Sequence, residues 1–81
     1  MTKKEFLEIC DTAIKEKKGI IVFVDILGNK HYEQIANNAE DVETKKNYYD
    51  NTYDENMKHK HAPVAIVEIL PFDVVPNPKK R

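Results

Sequence analysis

The stretch Met57-Lys58-His59-Lys60-His61-Ala62-Pro63 carries the densest chemistry of the chain. On an extended backbone His59 and His61 face the same way, so two imidazoles can share one metal ion. A stable zinc site wants a third and a fourth ligand. His31, Cys10, Asp25 and Glu68 are of the right types, but none stands at a metal-motif spacing. Two other readings stay open: a basic grip for a small anion, and a plain solvated strand edge, where lysine discourages aggregation. No metal and no cofactor is expected.

Tyrosines supply the second candidate. Lys45 stands three residues before Tyr48, on one side of a helix. A ring can stack on a base while a nearby amine holds a phosphate. Tyr49 and Tyr53 fall instead on the apolar stripe of that helix, which is their bland reading. The expected ligand-binding residues are therefore Lys45, Tyr48, Lys58, His59 and His61, for a small anionic, nucleotide-like ligand.

Catalysis has little to work with. The chain contains no serine, and Thr44 and Thr52 have no identifiable histidine partner. Cys10 lies on an apolar helix face. Two glycines cannot build a glycine-rich phosphate loop. Asp25 and Glu68 can be read as an acid/base pair, but solubilising or interface charges are the simpler account. A non-enzymatic protein is expected.

These groups need a scaffold, and 81 residues supply one domain. A chain this short buries roughly 60–65% of its unfolded surface, leaving little room for a deep cleft in one copy. The 13 basic and 14 acidic residues nearly cancel, to a net charge of −1, whereas a duplex-DNA binder shows a basic excess. One cysteine permits no internal disulfide and suits a reducing compartment. No apolar run approaches the ~20 residues of a membrane span, and the first ten residues lack a signal-peptide pattern. The expected location is cytoplasmic.

The pattern along the chain predicts an α+β fold in the order α-β-β-α-β: a small antiparallel or mixed sheet with two helices on one face. Residues 1–72 form the domain and 73–81 an extended, proline-rich basic tail. Thr2 and Glu5 make a capping box ahead of the stripe Phe6, Ile9, Cys10, Ala13 and Ile14, with Gly19 as the left-handed stop. Residues 20–27 read as a central strand, Gly28 and Asn29 as the turn, and 31–36 as a polar strand. Asn37 or Asn38 caps a second helix whose stripe is Val42, Tyr49, Tyr53 and Met57, fading by 57–60. Residues 63–70 form the last strand, ended by Pro71.

Strand alternation puts Ile20, Val22, Val24 and Ile26 on one face of the first strand, and Ile21, Phe23, Asp25 and Leu27 on the other. In the last strand Ala65, Val67 and Ile69 share one face; Val64, Ile66, Glu68 and Leu70 share the other. Two helices cover one side only, so an apolar side stays bare and marks an interface. A homo-oligomer is expected to pack through Ile21, Phe23, Asp25, Leu27, Ile66 and Glu68, with the ligand between copies.

The segments KKGIIVFVDILG and KKNYYDNTYDENMKHK, followed by a closing apolar strand, resemble small proteins encoded by phages of low-GC Gram-positive bacteria. The resemblance spans about residues 3–72 and rests on a lysine-glycine entry to a strand and a YY-x3-Y helix. It implies an accessory or anti-defence role: a sponge that sequesters a nucleotide signal, or alternatively an inhibitor that docks on a host enzyme.

Overall fold

The computed structural model describes residues 1–35 and 39–74. Its order is α1 (Lys3–Lys15), β1 (Gly19–Ile26), β2 (Asn29–Ile35), α2 (Ala39–Thr52) and β3 (Val64–Phe72). The strands form one antiparallel sheet in the order β2-β1-β3. The fold is α+β, α-β-β-α-β, as the sequence pattern predicts. The expected caps Asn37 and Asn38, and the tail from residue 75, lie outside the described residues.

Helix α1 begins where the capping box requires. Thr2 Oγ1 accepts from the Glu5 amide at 3.2 Å, and Glu5 Oε1 accepts from the Thr2 amide at 2.9 Å. Its left-handed stop comes two residues before the expected glycine. Lys17 takes the left-handed conformation (φ 59°). Its amide donates to Ile14 O at 3.2 Å and the Lys18 amide to Ala13 O at 2.8 Å, the two bonds of a Schellman stop. Gly19 is instead the first residue of β1.

A two-residue turn, Leu27-Gly28, joins β1 to β2, with φ 53° and 84°. Positive φ at both positions is the type I′ geometry that suits the twist of a hairpin. The turn sits one residue earlier than Gly28-Asn29, and Leu27 leaves the strand.

Helix α2 stops at Thr52, short of the expected 57–60. Asp54 Oδ1 accepts from the amides of Asn56 at 2.8 Å and Lys58 at 3.0 Å. An aspartate that satisfies backbone amides in this way offers the chain an alternative to helix. Met57 then turns back with φ 58°. Tyr53 and Met57 still reach the core, at 4% and 0% exposure, so burial follows the expected stripe although the helix does not.

Strand β3 departs most from simple alternation. Phe23 pairs with Glu68 but Val24 pairs with Ile66, leaving Val67 as an extra residue in a β-bulge. The bulge reverses the inward phase of the strand. Ile66 and Ile69 are both 2% exposed, while Val67 is 47% exposed. Inward residues are Val64, Ile66 and Ile69; the register turns Ala65, Glu68 and Leu70 outward. The expected placement of Val64 and Ile66 on the bare side is thus corrected, as is that of Ala65 and Val67 beneath the helices. The strand also runs through Pro71 to Phe72; an edge strand tolerates the missing N–H.

Both helices pack on the face bearing Ile20, Val22, Ile66 and Ile69, and Phe6, Cys10, Val42 and Tyr49 close the core from above. Phe6 meets Tyr49 edge-to-face at 5.3 Å. Burying a side chain the size of Phe6 or Ile66 contributes about 1.5–3 kcal/mol. The helices are also tied by Lys3, whose Nζ donates to Asp50 O at 2.7 Å, and by the Lys46–Asp11 ion pair.

Candidate functional site

The opposite face of the sheet is bare among the described residues. The pairing register arranges it in rows across β2, β1 and β3: Gln34-Ile21-Leu70, then Tyr32-Phe23-Glu68, then Lys30-Asp25-Ala65. Leu70 is 43% and Tyr32 69% exposed. Tyr32 leans on Phe23 at 6.2 Å between ring centres.

Residues 57–59 extend the sheet beyond β3. The Ile66 amide donates to Met57 O at 2.8 Å and the His59 amide to Val64 O at 2.7 Å, while Lys58 bridges to Ala65. Bridge partners share a face, so Lys58 takes the next place in the third row: Lys30, Asp25, Ala65, Lys58. That end of the sheet holds a shallow hollow of about 310 Å³, lined by Asp25, Leu27, Gly28, Lys58, His59 and the 62–65 segment.

Local bonds orient the polar groups of the hollow. Asp25 Oδ1 accepts from the Gly28 amide at 2.8 Å, pinning the carboxylate to its own turn. His59 Nδ1 accepts from the His61 amide at 2.9 Å, so neutral His59 carries its proton on Nε2 and offers a donor there. The His59 ring stands edge-on to Tyr53 at 5.2 Å.

The five expected ligand residues fall into two groups. Lys58 and His59 line the hollow, with His61 beside His59 at 6.3 Å between rings. Lys45 and Tyr48 lie on α2, and neither lines the hollow. Lys45 is also engaged: its Nζ is 2.9 Å from Glu33 Oε2 and 5.8 Å above the Tyr48 ring. Glu33 accepts a second bond from the Tyr49 hydroxyl at 2.7 Å. Burial alone would raise the Glu33 pKa, but the bonds from Lys45 and Tyr49 outweigh it and hold the carboxyl below the usual range. Burial, reinforced by the bond to Glu33, pushes the Tyr49 phenol well above its ordinary value.

His59 and His61 do not share a strand face. The amide of one caps the ring of the other, and among the described residues no three His, Cys, Asp or Glu side chains converge as a metal site would require. Asp25 and Glu68 sit in adjacent rows and adjacent strands. Leu27, Gly28 and Pro63 join the hollow without any signal in local spacing, because the β1–β3 pairing is what brings them to Lys58.

Comparison of the chain with protein-family models, with curated proteins and with solved structures finds no match. Among the described residues no helix is long and apolar enough to cross a membrane.

Proposed function

We propose that the protein is a non-enzymatic binding module whose copies join through the bare sheet face and hold a small anionic, nucleotide-like ligand at the seam. One observation carries this reading: the hollow borders the open face, and three residues of its lining, Asp25, Ala65 and Lys58, stand in the last row there. A second copy lying on Ile21, Phe23 and Leu70 roofs a depression too shallow to enclose a ligand alone. The Lys58 ammonium meets the anionic group from the open face, while His59, turned to the other side of the sheet beside Tyr53, is left out of the contact set. Lys45, held by Glu33, is left out of the contact set, and Tyr48, half exposed on α2, is left with it. Together with the phage-type resemblance, this suits a cytoplasmic accessory protein of the anti-defence kind, which acts by sequestering a nucleotide signal.

The test is thermal melting with a panel of mono-, di- and cyclic nucleotides. A ligand at a hundred times its Kd stabilises by about 2.7 kcal/mol, a shift of many degrees for a domain this small. Lys58→Ala should abolish it. No shift with any nucleotide at millimolar concentration sinks the ligand half of the reading.

Leu27 favours a second reading, docking on a host protein. It is 74% exposed at the tip of the hairpin, in a backbone conformation that bulky residues avoid. An apolar side chain kept there at a conformational cost suits insertion into a partner. A chain that stays monomeric and captures one host protein, with capture lost in Leu27→Asp, would favour this alternative.

A further inference from the structure

We infer that two copies pack open face to open face about a two-fold axis running along β1, so that Lys30 of each copy meets Glu68 of the other. This deepens the self-association proposed above and rests on it. In the sheet β2 and β3 flank β1 on either side. A two-fold axis parallel to β1 exchanges the flanks and keeps the rows, laying β2 of one copy over β3 of the second. Phe23 then stacks on Phe23 and Ile21 on Ile21, in the self-complementary manner of an isologous dimer. Lys30 lies one row from Glu68 of the second copy, about 7 Å along the strand, with the sheets about 10 Å apart. Extended lysine and glutamate side chains span that gap, and the axis makes the contact twice.

The charges are available for it. Among the described residues neither Lys30 nor Glu68 forms an ion pair within its own chain. The two Asp25 carboxylates approach across the axis, but each is held towards its own turn by Gly28 and has Lys30 as its neighbour in the row. A two-fold axis across the strands at the Phe23 row is the competing arrangement. It presses Asp25 onto Ile21 and Lys30 onto Gln34 of the second copy, which strips water from a carboxylate and returns no cation.

A charge swap tests the pairing. Self-association of the full chain is measured by sedimentation equilibrium for the wild type, Lys30→Glu, Glu68→Lys and the double variant, each checked for folding by circular dichroism. Each single variant should weaken the dimer by about tenfold or more, and the double should recover most of the loss. Lys30→Met and Glu68→Gln remove charge at similar volume and should also weaken it; they serve where a reversed charge unfolds the chain. A wild-type dimer untouched by the single changes, or a double variant no tighter than the singles, overturns the axis while leaving self-association standing. A wild type that remains monomeric at about 1 mM overturns both.

Discussion

Tyr49 donates its phenolic hydrogen to Glu33 at 2.7 Å, and this bond anchors α2 to β2 across the edge of the core. Tyr49→Phe keeps the ring and its contact with Phe6 but strips one partner from Glu33. The expected cost is about 1–1.5 kcal/mol, a fall of several degrees in Tm for a domain of this size. The cost should depend on pH. The Glu33 pKa is lowered in the folded state, so its contribution is present above the unfolded value and fades as pH falls through the folded one. Melts of both proteins between pH 7 and pH 2 should show the gap narrowing on the acid side. A gap constant across that range would remove Glu33 from the account.

Neighbouring residues of β3 should respond in opposite ways. Ile66 is 2% exposed and Val67 47% exposed. Ile66→Ala should cost about 2–4 kcal/mol, while Val67→Ala should stay within about 0.5 kcal/mol as a surface change does. Urea titration of the two variants reads the bulge directly. Simple alternation through the strand predicts the reverse order.

Two turn positions carry residues that their backbone disfavours. Leu27 and Lys17 have φ of 53° and 59°. Leu27→Asn creates the Asn-Gly pair of a type I′ turn, and Lys17→Gly relaxes the helix stop. Each should raise stability by about 0.5–1 kcal/mol. Gly28→Ala should lose stability although no atom lies within 4 Å of the added Cβ, because the penalty is the φ of 84° itself. If Leu27 also serves a partner, Leu27→Asn will be more stable and bind less.

Cys10 is a sheltered thiol. Burial pushes its pKa up to about 12. A folded pKa above the unfolded one means stability that is intact below the unfolded value and lost as pH rises towards the folded value. Chemical denaturation should therefore show weakening from about pH 9 upward, less steeply in Cys10→Ala. At neutral pH a disulfide reagent should label Cys10 no faster than the chain opens; prompt labelling would contradict its burial.

Much of the scaffold is legible in the chain because its signals are local. A hydroxyl and a carboxylate three residues apart start α1, and helical spacing selects Phe6, Cys10, Ala13, Val42 and Tyr49 for the core. Runs of β-branched residues mark β1 and β3. The face assignment in β1 follows from alternation alone, since its register with β2 runs without a shift and the extra residue of the bulge lies in β3.

What the tertiary structure decided lies in long-range pairing. Only the registration of β3 on β1 creates the bulge at Val67, and that extra residue carries Ile66 into the core against the period of its own strand. Only the fold-back at Asp54 and Met57 brings Lys58 beside Ala65, and so into one row with Asp25 and Lys30. Only the approach of β2 to α2 commits Lys45 to Glu33. Spacing along a chain reports which side chains share one element's face; which elements meet, and in what register, depends on packing between residues dozens of positions apart.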